Sequence, residues 1–282
     1  MNHPSRVMTI AGSASGGSAG IQADLKTFQE LDVYGMSVIT AIVGRHPTTN
    51  KNVHPVTREA IEAQFTTAMS QGGARAVKTG MLFSESVIEK IAELLQKEQI
   101  DHVVVDPVMV GKHDSKLLKD DAIQALQERM IPQATIITPN IPEASLLLGG
   151  RTLNNEDDLK KAAIDIHELG CTYVLVKGGR LKGPATDVLF DGQTITTFTA
   201  PRIDTIHTSG AGCSYSAAIA AHLAKGETIT EAVRLAKSFV TTAIEHSFSY
   251  TDKVGPTYHA AHRRFGEAHS VVVRQTEAKE RL

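Results

Sequence analysis

A chain of 282 residues, 41% hydrophobic and 21% charged, is long enough for one large domain or two small ones with an ample core. Its formal net charge of −2 gives no electrostatic reason to expect nucleic acid, and two cysteines, Cys171 and Cys213, do not make a disulfide framework. No apolar run approaches the roughly 18 residues that span a bilayer, and the polar opening residues show no signal peptide, so a soluble, cytoplasmic protein without membrane contact is expected.

Residues 7–10 read as a short buried strand that enters Ala11-Gly12-Ser13-Ala14-Ser15-Gly16-Gly17-Ser18-Ala19-Gly20, ten small residues in succession. A stretch so poor in side chains can lie against a ligand or another backbone. It matches neither G-x-G-x-x-G nor G-x-x-x-x-G-K-[ST], and it is read as a loop over a small-molecule site. An amphipathic helix follows over 21–31, then a β-branched strand over 37–43 and a helix over 58–70. Strand 76–79 ends in Lys78-Thr79-Gly80-Met81-Leu82, with a helix near 85–98 behind it. Strand 102–105 runs into Asp106-Pro107-Val108-Met109-Val110, and strand 135–138 into Pro139-Asn140-Ile141-Pro142-Glu143-Ala144. Strand 173–176 ends in Lys177-Gly178-Gly179-Arg180. This βα alternation predicts an α/β fold, a mostly parallel sheet covered on both faces by helices. Segments 187–190 and 194–199, around Asp191-Gly192, predict a hairpin at one edge. A last helix is expected over 228–245, and the charged tail beyond Glu267 carries no assignment.

The chain is organised around Thr208-Ser209-Gly210-Ala211-Gly212-Cys213, which feeds a helix former-rich stretch with Ile219 and Leu223. A Gly-rich turn opening a helix leaves backbone N–H groups unpaired at the positive end of the dipole, which is an anion site. Cys213 falls in the first turn, where a lowered thiol pKa is expected. The alternative is a tight helix connection with a buried cysteine. Each polar residue at a strand end also has a plain explanation, such as Asn140 and Glu143 as a helix cap and first-turn acid. Asp106, Asn140, Glu143, Lys177 and the Gly-rich turn nonetheless all follow strands at their carboxyl ends, where open α/β sheets bind ligands.

These motifs, in order, resemble the ribokinase-like kinases, in the branch of hydroxymethylpyrimidine kinases and the pyridoxal kinases similar to them. The resemblance covers residues 5–265 and rests on Ala19-Gly20-Ile21-Gln22-Ala23-Asp24-Leu25-Lys26-Thr27-Phe28, Lys78-Thr79-Gly80-Met81-Leu82, Val105-Asp106-Pro107-Val108-Met109, Thr138-Pro139-Asn140, Lys177-Gly178-Gly179 and Gly210-Ala211-Gly212-Cys213. It implies a single three-layer kinase domain over 1–266 with a tail over 267–282, a homodimer, and transfer of the γ-phosphoryl of ATP to a hydroxymethyl group on a pyridine or pyrimidine ring. By resemblance, Gly210, Ala211, Gly212 and Cys213 hold the transferring phosphate, with Cys213 either accepting the hydroxyl proton or shaping the anion hole. Asn140, Lys177, Gly178, Gly179 and Asp187 lie at the nucleotide, and Asp106 and Glu143 organise Mg²⁺. Gly12, Ser13, Ser18, Gly20, Gly44, Arg45, Lys78, Met81 and Val108 surround the acceptor, and 110–118 forms a lid.

The chain departs from the branch pattern at several places. Ala14, Gly16 and Ser18 alter the first loop, Gly111 replaces a lid cysteine, and Ser209 replaces a histidine, with His207 two residues earlier. Arg45 stands where hydroxymethylpyrimidine kinases carry a glutamine. An arginine lacks the amide that pairs in both directions with an aminopyrimidine. The expected reading is therefore a vitamin B6 kinase, with a hydroxymethylpyrimidine or phosphomethylpyrimidine kinase as the near alternative. A nucleotide-binding protein without catalysis and a cysteine-nucleophile hydrolase are weaker readings, opposed by intact Asp106, Glu143 and Lys177 and by the lack of a clear histidine base.

Overall fold

The computed structural model describes residues 3–44, 48–49, 52–111, 117–267 and 269–278. Among the described residues ten strands form one sheet: β1 (Arg6–Ala14), β2 (Tyr34–Val43), β3 (Val53–Pro55), β4 (Ala76–Thr79), β5 (His102–Val105), β6 (Ile136–Ile137), β7 (Tyr173–Val176), β8 (Ala185–Phe190), β9 (Thr194–Ala200) and β10 (Val272–Glu277). Their order is β10-β9-β8-β7-β6-β5-β4-β1-β2-β3. The six strands from β7 to β2 run parallel, while β8, β9, β10 and β3 are antiparallel additions. The chain leaves β1 for β2 on one side, and later returns to β4 on the other. The carboxyl ends of β1 and β4 therefore flank a topological switch point, where a crevice opens.

The helices cover both faces because the strands are apolar on both. On one face lie α2 (Arg58–Ser70), α3 (Glu85–Lys97), α4 (Asp120–Ala125), α5 (Ile141–Leu147) and α6 (Glu156–His167), packed on Met8, Ile10, Val77 and Val105. On the other lie α1 (Ile21–Glu30), α7 (Ala211–Ala224) and α8 (Ile229–Glu245), packed on Val7, Ala76, Val104 and Leu175. A short α9 (Ala261–Phe265) follows α8. In α7 every residue from Ser214 to Ala224 is buried, and its small side chains let it pack directly on β1, β4 and β5 between α1 and α8.

Sequence and structure differ at the margins. β2 starts earlier than the β-branched run, and β6 shrinks to two residues. The predicted hairpin is β8–β9, but it is not the sheet's edge. The unassigned tail supplies β10, antiparallel to β9, because Val271 and Val273 find apolar partners on the α7–α8 face.

Candidate active site

Helix starts separate the site from the scaffold. Thr57, Ser84, Asn140, Asn155 and Thr228 cap their helices with side-chain oxygens. The two long helices without such a cap are α1, which begins after Gly20, and α7, which begins after Gly210. Gly210 sits at φ 87°, and a Cβ there would fall 1.7 Å from the Ser18 carbonyl oxygen. Gly20, at φ 61°, would place one 2.2 Å from the Gly12 carbonyl. Ser209 Oγ donates to Ser18 Oγ at 3.0 Å. The two glycine-rich stretches thus pack backbone to backbone, which only glycine permits at these positions.

Within the α7 turn the Ala211 N–H is already spent on the Thr208 carbonyl, which removes it from the expected anion donors. The N–H groups of Gly212 and Cys213 have no acceptor among the described residues. Lys177 Nζ lies beneath them, 3.5 Å from where a Gly212 Cβ would stand, and donates to Asp106 Oδ1 at 2.9 Å. Asp106 also accepts from Thr138 Oγ1 at 3.1 Å and Ser216 Oγ at 3.2 Å. Asn140 and Glu143 form a reciprocal capping box at the start of α5, with Asn140 N–H to Glu143 Oε2 at 2.8 Å and Glu143 N–H to Asn140 Oδ1 at 3.0 Å. Burial pushes the Glu143 carboxyl up to about 8, against the pull of Lys177 and with a further push from Asp106. Lys177 is lowered by burial, but the charges of Asp106 and Glu143 outweigh that and hold it above its ordinary value.

Two expectations need correction. Lys78 was placed at the acceptor, yet it is fully buried, with Nζ 2.9 and 3.1 Å from the two oxygens of Asp24. Lys78 alternates onto the β4 face of Ala76, towards α1 and α7, so its ammonium turns under the site rather than into it. The Cys213 thiol was expected to be acidified. Burial instead pushes it up to about 11, with Asp24 and Asp106 adding to the rise and Lys78 and a hydrogen bond from the Gly20 backbone opposing it. A helix N-terminus does not offset that desolvation.

Asp187, expected at the nucleotide, is buried. It accepts from the Gly178 N–H at 2.9 Å and from Lys237 Nζ at 2.6 Å, which leaves its carboxylate committed. A Cβ on Gly178 would fall 2.0 Å from the Thr186 carbonyl, whereas Gly179 faces open space. On the acceptor side, Gly12 abuts Met81, whose carbonyl accepts from Thr40 Oγ1 at 2.7 Å. Ser13 Oγ accepts from Gln22 Nε2 at 2.8 Å, and Gln22 Oε1 holds the Ala14 N–H at 2.9 Å. Gly44 lies against Ser15, and the Val108 N–H turns back to the Asp106 carbonyl. Arg45 and residues 112–116 of the expected lid lie outside the described residues. The ends of that lid meet where the Leu117 N–H donates to the Met109 carbonyl at 2.8 Å. His207 accepts from the Gly255 N–H at 3.0 Å through Nδ1 and so braces a loop.

The sequence model of the phosphomethylpyrimidine kinase family matches residues 14–258. A pyridoxine kinase of Bacillus subtilis is 48% identical over 262 residues, which cover 92% of this chain and 97% of that protein. A hydroxymethylpyrimidine/phosphomethylpyrimidine kinase of the same organism is 43% identical over 261 residues, covering 92% and 96%. The structure of Staphylococcus aureus pyridoxal kinase in complex with AMP-PCP and pyridoxal superposes with a TM-score of 0.87 at 40% identity, covering 97% of this chain and 99% of that one. The three-layer, ribokinase-like architecture that the resemblance implied is the one observed. A family model that spans most of the chain, and relatives above 40% identical over nine-tenths of it, show that the chain belongs to the phosphomethylpyrimidine kinase family.

Proposed function

We propose that the chain transfers the γ-phosphoryl group of ATP to the 5-hydroxymethyl group of pyridoxal, pyridoxine or pyridoxamine. One observation carries the reading: two amides without acceptors among the described residues, Gly212 and Cys213, converge with the partly exposed Lys177 ammonium at the start of an uncapped helix. Phosphoryl transfer asks mainly for positioning and for stabilisation of charge on the moving group, and that donor set supplies both. Lys177 stays cationic and Asp106 fixes it against the turn. The first loop, braced by Gln22 and sealed by the Ser18–Gly210 contact, would cover the acceptor and keep water from the phosphoryl group.

The donor set also fits Mg²⁺. Asp106 and Glu143 are buried carboxylates whose charges both act on Lys177, and burial is the main reason that the Glu143 carboxyl is raised. These two would hold Mg²⁺ through its waters, and the ion would supply charge neutralisation on the nucleotide phosphates. Cys213 then stands at the acceptor side of the turn, where its sulfur can take the hydroxyl proton as the new bond forms or simply wall the anion hole.

Hydroxymethylpyrimidine is the second candidate acceptor, favoured by the 43% identical relatives that carry that name. The arginine at position 45 argues for the pyridine, since it cannot reproduce a glutamine's two-way pairing. Turnover of ATP with pyridoxal, pyridoxine and hydroxymethylpyrimidine, measured side by side, tests this. The expected result is the highest kcat/KM with a B6 vitamer. A preference for hydroxymethylpyrimidine of about tenfold or more would transfer the assignment to thiamine precursors, since that is over 1 kcal/mol of transition-state binding.

A further inference from the structure

Arg202 lies just past β9, and its guanidinium donates to three carbonyls of a single loop. Nε reaches Gly183 O at 2.6 Å, Nη1 reaches Gly179 O at 2.9 Å, and Nη2 reaches Leu181 O at 2.5 Å. The loop is residues 178–184, which follow Lys177 and include Gly178, Gly179 and Gly183. Sheet register explains the meeting: Ala200 at the end of β9 pairs with Ala185 at the start of β8, so Arg202 emerges beside the loop's far end. A rigid planar fork with five donors can span three carbonyls, which a lysine ammonium on a flexible stem cannot.

The clamp has two consequences for an anion beside Lys177. A segment with three glycines retains much conformational freedom, which a ligand would have to remove on binding unless something else already has. Three of its carbonyl lone pairs are committed to a cation instead of facing a phosphate. The Gly179 N–H has no acceptor among the described residues, and nothing stands within 4 Å of where its Cβ would be. The near end of the loop is fixed independently, by Gly178 N–H on Asp187 and by the Leu181 N–H on the Gly178 carbonyl at 2.9 Å.

We propose that Arg202 is a positioning residue for the nucleotide, holding the loop after β7 in its phosphate-binding shape before ATP arrives. The inference rests on the reading that Lys177 and Gly179 meet nucleotide phosphates. Three variants and one ligand that needs no acceptor test it: Arg202→Ala, Arg202→Lys and, as a control on α8 where the guanidinium pairs with Glu231, Arg234→Ala, each titrated with ADP and then assayed with ATP and pyridoxal. In Arg202→Ala the Kd for ADP and the KM for ATP should rise about ten- to a hundredfold, the cost of ordering one or two loop residues anew. The KM for pyridoxal and kcat should stay within about threefold of the parent. Arg202→Lys should fall between, free guanidinium ion should recover part of the loss in Arg202→Ala, and amide hydrogen exchange should quicken over 178–183 alone. Unchanged ADP affinity in a folded Arg202→Ala would overturn the proposal and leave the kinase reading intact. Equal rises in both KM values with a lowered Tm would overturn it too, by reducing Arg202 to a stabilising contact. Should the alanine variant not fold, Arg202→Lys decides by the same criteria. Failure of the parent protein to bind ADP would sink the nucleotide reading, and the proposal with it.

Discussion

Lys78, inside β4 just before its end, and Lys177, just past β7, each pair with an aspartate at 2.9 Å, but their surroundings differ. Both side chains of the Lys78–Asp24 pair are 0% exposed, and Thr9 Oγ1 closes it with a 2.6 Å bond to Asp24. Lys177 keeps 11% of its side chain exposed, under amides that lack acceptors among the described residues, and its partner Asp106 shares a region with a second carboxylate. The first pair is complete in itself. The second has capacity left over, and that unspent capacity is what a ligand can use. Position at a strand's carboxyl end nominates a residue for a site, but the partners its charge already has decide whether it can act there.

Breaking the closed pair should give the largest effect, and on stability. Lys78→Met would leave Asp24 buried and uncompensated, a loss of about 3–5 kcal/mol. Replacing both partners by apolar residues of similar size, Lys78→Met with Asp24→Leu, should return much of that, because the desolvation cost disappears along with the attraction. Urea denaturation of the single and double variants measures it. A single-variant loss below about 1 kcal/mol would mean that water or a proton reaches Asp24.

Breaking the open pair should divide the other way. In Lys177→Met, Asp106 retains Thr138 and Ser216 as donors, so stability should fall by less than about 2 kcal/mol. Turnover should drop about 10²–10³-fold, the usual consequence of removing one donor from a preorganised oxyanion site. Near-normal turnover in the variant would take Lys177 out of the transition state.

The two glycines of the turn repeat the contrast on the backbone. Gly210→Ala forces a Cβ into the Ser18 carbonyl at positive φ and should cost about 1–3 kcal/mol of stability. Gly212 has room, since its Cβ would meet only Lys177 Nζ at 3.5 Å, and alanine is the better helix former. Gly212→Ala should therefore leave Tm unchanged or raised while ATP affinity falls about tenfold, because the methyl occupies the space above a free amide. Parallel losses of stability in both variants would reduce the turn to a helix connection.

Much of this architecture is legible in the sequence, for reasons that individual residues show. Apolar runs such as Val103-Val104-Val105 and the capping pair Asn140 and Glu143 are local signals, and the structure repeats them. The glycine turn that opens α7 is legible because glycine spacing and a following helix are both local. What stays hidden depends on distant partners. Asp187 is committed by Lys237, fifty positions on, and Lys78 by Asp24, fifty-four positions back. Arg202 leaves no local trace, since only the register of β9 against β8 carries it to the glycine loop. A partial clue to Lys78 did exist: it lies within the strand, before Thr79, whereas Lys177 lies just beyond one.

Cys213 sharpens the comparison, since it sits between the two lysines' influence. Burial pushes its thiol up to about 11, so in the free protein it is protonated at neutral pH. Lys78 favours the thiolate from below, and the Gly20 backbone hydrogen bond does the same. If the sulfur takes the acceptor's proton, kcat/KM for pyridoxal should climb with pH by up to about tenfold per unit, because it reports the free enzyme's ionisation. The climb should flatten only near the raised pKa, and Cys213→Ser should abolish it. Stability carries the opposite sign. A thiol raised from 9.0 to about 11 in the folded state contributes nothing below the lower value, and stability falls as pH rises from there through the higher one, since the unfolded chain then gives up its proton first. Cys171 is pushed to about 11 by its own burial, so Cys171→Ser and Cys213→Ser should each remove part of that alkaline loss. Only Cys213→Ser should also change the rate profile. A kcat/KM that stays level from neutral pH upward, and is the same with serine, would leave the thiol as a wall of the anion hole, with the hydroxyl proton departing by another route.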